Sequence, residues 1–198
     1  MDIAIFGGSF NPVHMGHHEI VLFLLESLGF RKVIMVPAHQ NPLKDSPPII
    51  PESVRWQMLL NTFHAHDSVD VSDFEIQSQK VSYSYKTLNY FNKIYPEDRL
   101  FLILGEDSFA SFPQWVNIET ILSLSKILVF PRPDLRSKML TPPYDHGYSQ
   151  HVTWLDILIP DISATKIRES DLETVIKKNW LHPAALEEWK TYQQSEAK

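Results

Sequence analysis

Cysteine is absent from this chain of 198 residues. The absence excludes disulfides, catalytic thiols and thiolate metal sites. Long apolar runs are absent as well, since no stretch approaches the roughly 18 apolar residues that form a membrane span. The chain also begins without the basic segment of a secretory signal. We therefore expect a cytoplasmic protein that does not contact a membrane.

Positive charge is in deficit, because 18 lysines and arginines stand against 24 aspartates and glutamates. The resulting net charge of −6 argues against a general nucleic-acid surface, so we expect no nucleic-acid partner. A hydrophobic content of 43% is normal for a globular core. This length and composition predict a single domain over residues 1–198. They leave the oligomeric state open, a homodimer included.

Two common phosphate-binding motifs are also missing. The sequence has neither the Gly-Lys-Ser/Thr of a P-loop nor the Gly-x-Gly-x-x-Gly of a dinucleotide-binding fold. A dinucleotide-dependent oxidoreductase is therefore disfavoured. What the chain has instead is a run of small and polar residues from Gly7 to His17, reading Gly-Gly-Ser-Phe-Asn-Pro-Val-His-Met-Gly-His.

This run lies between a short apolar strand, Ile3–Phe6, and an apolar-periodic helix that begins near Met15. A strand, a glycine-rich turn and a helix start direct backbone N–H groups to one place, where phosphate binds well. His14 and His17 are three residues apart and can share one face of the first helical turn. On spacing alone, helix capping or a metal pair would also explain them, although no third metal ligand is evident.

Apolar runs alternate with helical patterns along the rest of the chain. The first helix should run to about Leu28 and end at Gly29, and a closing helix should begin at Pro183. This alternation predicts an α/β fold, a Rossmann-like doubly wound parallel sheet, with ligands beyond the carboxyl ends of the strands. The predicted strands cover residues 3–6, 32–36, 69–71, 100–104, 126–130 and 152–155.

The run from Gly7 to His17 resembles the signature of the HxGH nucleotidyltransferase family, and most closely that of its bacterial nicotinate-nucleotide adenylyltransferases. Residues 162–168, Ile-Ser-Ala-Thr-Lys-Ile-Arg, are similar to the second family signature, Ile-Ser-x-Thr-x-Ile-Arg. Residues 37–44 are similar to the family pattern Pro-x-x-x-x-Pro-x-Lys. The resemblance therefore implies a fold of the nucleotidyltransferase type.

A fourth segment, residues 82–88, resembles the family's Ser-Tyr-Thr-x-x-Thr-Leu. Ser84 replaces the threonine and keeps its hydroxyl, whereas Val81 stands where the family usually has proline. The shorter phosphopantetheine adenylyltransferases lack this segment, which ranks them lower as an alternative. The Lys-Met-Ser-Lys-Ser of synthetase-like domains is absent.

The resemblance implies that His14 and His17 are catalytic and that Mg²⁺ enters with ATP, with no metal ligand assigned among the protein side chains. Structural roles are the alternatives: a helix cap for Ser163 or Asp107, a core position for Trp115, a solvated side chain for Lys44. The implied ATP-binding residues are Gly7, Gly8, Ser9, Phe10, Gly105, Asp107, Ser163, Thr165, Ile167 and Arg168. The implied mononucleotide-binding residues are Lys44, Ser84, Thr87, Trp115 and Arg132.

The activity implied by this resemblance joins ATP and nicotinate mononucleotide to give nicotinate adenine dinucleotide and pyrophosphate, a step of NAD biosynthesis. Nicotinamide mononucleotide as acceptor, or dual specificity, is the first alternative, and a nucleotide-binding regulator without turnover is another. Arg55 is interpreted as a surface arginine of a helix, with reach into the crevice as the alternative. His39, His64, His66 and the loop at 134–150 receive no role.

Overall fold

Parallel strands form the framework of the protein, which a computed structural model describes over residues 1–44, 46–131 and 147–196. Within these residues, six strands form one sheet in the order β3-β2-β1-β4-β5-β6, and every adjacent pair is parallel. The predicted fold class is confirmed. The strands are β1 (Asp2–Gly8), β2 (Lys32–Pro37), β3 (Val69–Val71), β4 (Arg99–Gly105), β5 (Ser125–Phe130) and β6 (Val152–Trp154).

Strand β1 shows why the sheet is covered on both faces. Ile3 and Ile5 belong to one hydrophobic core, and Ala4 and Phe6 belong to the other. All four side chains are buried. Because alternate side chains point to opposite faces of a strand, a continuous apolar run fits a strand that lies between two helical layers.

The helices divide between these layers. One face carries α1, α2, α7, α8 and α9, and the other carries α4, α5 and α6. Among the described residues, no helix is both long enough and apolar enough to cross a membrane. The helices are α1 (Met15–Leu22, continued as a π-helix over Phe23–Ser27), α2 (Glu52–Phe63), α3 (Phe74–Ser78), α4 (Ser84–Ile94), α5 (Glu106–Ala110), α6 (Ile118–Leu124), α7 (Ala164–Glu169), α8 (Leu172–Lys177) and α9 (Pro183–Glu196).

The first helix ends where the sequence predicts. Gly29 has a φ of +69°, the left-handed conformation that glycine adopts without penalty. The N–H of Phe30 then donates to the carbonyl of Leu24 at 3.0 Å, which is the longer bond of a Schellman-type stop. The π-helical last turn was not predicted, because the apolar pattern does not distinguish it from an α-helical turn.

Several element boundaries differ from the expectation. Gly7 and Gly8 continue β1 and pair with Val36 and Pro37, so the loop begins only at Ser9. Helices α3 and α8 were not predicted, since five or six residues are too few to show a helical period.

A cluster of histidines joins α1 to the end of α2 and the start of α9. The His18 side chain is 8% exposed. Its ring stacks on His182 and Phe63, with centroids 5.2 and 5.9 Å away, and meets His66 edge-on at 5.7 Å. Burial lowers the pKa of His18 despite Glu19 at 4.0 Å, and burial likewise lowers the pKa of His182. The native cluster therefore favours the neutral imidazoles of His18 and His182.

Acidification should weaken the fold through this cluster. In the unfolded chain these histidines take up protons near their usual pKa of about 6.5. The native state resists protonation, so the free energy of unfolding should fall as the pH drops from about 7.5 to about 5.5. Urea unfolding at both pH values measures this loss, and His18→Phe should reduce it. An equal loss in the wild type and the variant would contradict the prediction.

Candidate active site

A cleft of about 900 Å³ opens at the carboxyl edge of the sheet. It is bounded by the ends of β1 and β4, the first turn of α1, the loop after β6 and the start of α7. A second groove of about 460 Å³ lies beside β3 and contains none of the residues predicted from the sequence. The position of the first cleft is the one expected for a ligand site in a doubly wound sheet.

Most of the predicted site residues lie on this one cleft, although they come from distant parts of the chain. Their individual roles stay predictions. Arg132 and residues 134–146 of the loop at 134–150 lie outside the described residues. The predicted residues that line the cleft are Gly7, Gly8, Ser9, Phe10, His14, His17, Lys44, Ser84, Gly105, Asp107, Trp115, Ser163, Thr165 and Arg168.

Two predicted residues do not reach the cleft. Thr87 is 3% exposed, and its hydroxyl donates to the Glu75 carboxylate beneath α4. Ile167 is 0% exposed and packs in the core, while its N–H donates to the carbonyl of Ser163 at 3.1 Å. Both residues lie behind the segments that line the cleft, and their roles at a ligand stay predictions.

The loop after β1 has a constrained backbone. Phe10 has a φ of +41°, which is uncommon for a residue other than glycine and persists only where the surrounding structure enforces it. The Gly8 carbonyl accepts from the N–H of Ala38 at 2.8 Å, and the Ser9 carbonyl accepts from the Arg55 guanidinium at 2.8 Å. The carbonyls of the loop are thus engaged by neighbouring donors, an arrangement that suits an anion on the N–H side.

Arg55 is therefore not a surface residue, and that interpretation was wrong. Its side chain is 0% exposed. Besides Ser9, the guanidinium contacts the Ile50 carbonyl through Nε at 3.2 Å and lies 3.8 Å from the Glu52 carboxylate. Burial of the cation lowers the pKa of Arg55, with Glu52 opposing that effect. No periodicity in the sequence distinguishes this arginine from an exposed one.

His14 and His17 lie side by side at the start of α1, as the spacing predicts. Their ring centroids are 3.8 Å apart. His14 is extended and precedes the helix, and its backbone N–H donates to Nδ1 of His17 at 3.2 Å. Because Nδ1 of a neutral His17 accepts this bond, the ring proton lies on Nε2, where it can be donated to a ligand.

Gly16 makes this pairing of imidazoles possible. A Cβ at this position would lie 3.1 Å from the His14 ring and 3.3 Å from a methyl group of Ile159. Such contacts are tighter than those that carbon atoms normally make in packed interiors, so either the ring or the loop would have to move. The glycine between the two histidines therefore lets the His14 ring and Ile159 keep these positions without adjustment.

The second motif reaches the first across the cleft. The Ser163 hydroxyl accepts from the N–H of Lys166 at 3.2 Å, which makes Ser163 the predicted cap of α7. Nη1 of Arg168 donates to the carbonyl of Asn11 at 2.5 Å, joining residues that are 157 positions apart. The side chain of Asn11 accepts from the N–H of Ile50 at 2.9 Å. Asn11 was not predicted, although it belongs to the motif that the sequence displays.

The other end of the cleft carries residues that the sequence predicts to bind the mononucleotide. Ser84 begins α4, and Lys44 is exposed on the loop after β2. Trp115 is extended immediately after a short 3₁₀-helix, Phe112–Gln114, and not inside a helix as expected. Its ring lies 5.3 Å from that of Phe112, which fixes one side of the indole while the residue remains part of the cleft wall.

The cytidylyltransferase-like family model matches residues 5–170 of the chain. This range includes both sequence motifs, residues 7–17 and residues 162–168, and the strands that bring them together. Together with the fold and the cleft, this match assigns the protein to the α/β enzymes that transfer nucleotidyl groups.

Curated relatives narrow the class. A protein of Aliarcobacter butzleri named "Probable nicotinate-nucleotide adenylyltransferase" is 38% identical over 140 residues, which cover 71% of this chain and 76% of that protein. A protein of the same name from a Thermotoga species is 37% identical over 172 residues, or 84% of each chain. The chain belongs to the nicotinate-nucleotide adenylyltransferase family.

Solved structures agree at the level of the fold. The nicotinic acid mononucleotide adenylyltransferase of Plasmodium falciparum, in complex with NaAD, matches with a TM-score of 0.72 at 18% identity. The match covers 96% of this chain and 95% of the Plasmodium chain.

Proposed function

We propose that the protein transfers the adenylyl group of ATP to nicotinate mononucleotide, giving nicotinate adenine dinucleotide and pyrophosphate for NAD biosynthesis. The observation that carries the proposal is the 2.5 Å hydrogen bond from Arg168 to the carbonyl of Asn11, which brings both phosphate-site motifs to one cleft. The family names of the curated relatives support the choice of acceptor.

The reaction needs no general base. The phosphate of the mononucleotide is already ionised, so one of its oxygens attacks the α-phosphorus of ATP while the bond to the β-phosphate oxygen breaks. Catalysis then consists of positioning the two substrates in line and stabilising charge on the α-phosphoryl oxygens. We assign the second task to His14 and His17, with the Nε2 proton of His17 donated to the transferring group.

The triphosphate would be shared between the two motifs. The loop of Gly7, Gly8, Ser9 and Phe10 lies on the β1 side, and Thr165 and Arg168 lie on the α7 side. Nη2 of Arg168 also donates to the Thr165 hydroxyl at 3.4 Å, so this guanidinium and this hydroxyl face the same part of the cleft. We assign the β- and γ-phosphates to this pair, and the nucleoside to the neighbourhood of Gly105 and Asp107.

A divalent cation, which we propose to be Mg²⁺, would enter bound to ATP, where it supplies charge neutralisation on the phosphates. Among the described residues, no group of three or more histidines and carboxylates is arranged to hold a metal ion. We propose that phosphate oxygens supply most of the ligands of this ion, with the Asp107 carboxylate at the cleft wall. We further propose a cytoplasmic enzyme that acts on free nucleotides.

The acceptor can be tested directly. Pyrophosphate release from ATP should be fastest with nicotinate mononucleotide, slower with nicotinamide mononucleotide and undetectable with phosphopantetheine. A higher kcat/KM for the nicotinamide compound would instead support the first alternative. Absence of release with every acceptor would support a regulator without turnover.

His17→Ala should lower kcat by about 10²–10³-fold, which is the usual loss for one transition-state hydrogen-bond donor. The KM for ATP should change far less, because the donor acts on charge that develops during transfer. Steady-state kinetics at saturating substrates measure both constants. An unchanged kcat would remove His17 from the mechanism.

Arg168→Lys should raise the KM for ATP, since lysine keeps the charge but loses the planar fork that can serve a phosphate and a carbonyl together. The KM for nicotinate mononucleotide should stay close to that of the wild type. The same kinetic assay with ATP varied provides the test. If the KM for ATP does not move, Arg168 has no role at the triphosphate.

A further inference from the structure

A chain of polar side chains, here called the polar chain, connects the two ends of the cleft. It runs beneath the cleft at Arg55 and Glu52, and it reaches the cleft wall at Ser82 and Glu75. It begins at the loop after β1 and ends under the first turn of α4. None of its members received a role from the motifs of the sequence. The members, in order, are Arg55, Glu52, His39, Ser82 and Glu75.

The first end of the polar chain, at Arg55, restrains the glycine-rich loop after β1. Arg55 uses a fully buried charge to hold the carbonyls of Ser9 and Ile50. A buried guanidinium is costly unless its donors are used, so these bonds must contribute to the folded state. The neighbouring Phe10 is in the left-handed region, which requires such a restraint. Arg55 therefore fixes the backbone that faces the triphosphate in the proposed function.

The middle of the polar chain consists of Glu52 and His39. The Glu52 carboxylate lies 3.8 Å from Nη2 of Arg55 and bonds to Nδ1 of His39. The backbone N–H of His39 donates to the Ser82 hydroxyl at 3.0 Å. His39 thus belongs to both halves, through its ring on one side and its backbone on the other.

The second end of the polar chain, at Glu75, lies against residues 82–88 at the start of α4. Glu75 is 7% exposed and accepts from the hydroxyls of Thr87 and Ser82. Burial raises the pKa of Glu75, and the two hydroxyl bonds act against that increase. Thr87 lies in the first turn of α4, whose first residue, Ser84, lines the cleft. Glu75 therefore fixes the helix start that faces the mononucleotide.

We propose that Arg55 and Glu75 are positioning residues, one for each substrate, joined through Glu52 and His39 into a single support for both halves of the cleft. The inference rests on the proposed function, because it assigns the β1 loop to ATP and the α4 start to the mononucleotide. It predicts that a substitution at each end of the polar chain raises the KM of a different substrate.

The experiment compares Arg55→Lys and Glu75→Gln in steady-state kinetics. Arg55→Lys should raise the KM for ATP about tenfold, the loss expected for hydrogen bonds to a charged group, and leave the KM for nicotinate mononucleotide within about twofold. Glu75→Gln should raise the KM for nicotinate mononucleotide and leave the KM for ATP within about twofold. The amide replaces one carboxylate oxygen with an NH₂ group and removes the negative charge that accepts from the Thr87 and Ser82 hydroxyls. A purely structural role would move both constants together.

A matched pair of histidines tests the middle of the chain. His39→Ala should raise the KM for ATP several-fold, because Glu52 loses its partner and no longer fixes Arg55. His64→Ala is the control, since the His64 ring is exposed and hydrogen-bonds to the carbonyl of Asn61 at 2.8 Å, outside the polar chain. Both KM values of the control should equal those of the wild type. Equal effects from His39→Ala and His64→Ala would overturn the role of His39.

Thermal unfolding of every variant shows whether it is folded. Should Arg55→Lys or Glu75→Gln not fold, Glu52→Gln removes the ion pair that helps to hold Arg55, and Thr87→Val removes one hydroxyl bond of Glu75. Parallel changes of both KM values in folded variants, or no change in either, would overturn the proposal. Calorimetric binding of a non-reactive ATP analogue separates this outcome from failure of the proposed function. Weaker binding by Arg55→Lys supports the ATP half even in a protein without transferase activity, and unchanged binding overturns it.

Discussion

The site depends on one structural constraint: the carboxyl ends of all six parallel strands lie at the same edge of the sheet. The loop after β1 and the start of α7 are far apart in the sequence, yet at this edge Arg168 donates to the carbonyl of Asn11 at 2.5 Å. Backbone donors, imidazoles and a guanidinium therefore surround one volume, although the chain as a whole is acidic. This explains how a protein with a net charge of −6 can offer a site for polyanions.

The same constraint determines the chemistry. A site that holds two phosphates side by side supplies proximity and charge stabilisation, and an ionised phosphate needs no further activation. The side chains that face the cleft fit this requirement, because the N–H of His14 donates to Nδ1 of His17 and thereby orients the His17 ring. The polar chain beneath the cleft extends the argument from the groups that face substrate to those that hold them in place.

The strands and both motifs could be predicted because they depend on local patterns: an apolar run buried on both faces, and a glycine-rich turn before a helix. The burial of Arg55 and Glu75 could not be predicted, because it is decided by segments that are distant in sequence. Thr87 and Ile167 were placed at the ligand by resemblance to a motif, and a motif does not separate residues that touch a ligand from those that pack behind it. The short helices α3 and α8 lacked enough residues to show a period.

The central claim is that the mononucleotide phosphate attacks ATP directly in this cleft, with no adenylated protein side chain. The most direct measurement uses ATP with sulfur in place of one non-bridging oxygen on the α-phosphorus, supplied as a single diastereomer together with nicotinate mononucleotide. A single in-line displacement predicts inversion of configuration at phosphorus in the dinucleotide product. Retention of configuration would require two displacements through a covalent intermediate and would contradict the account.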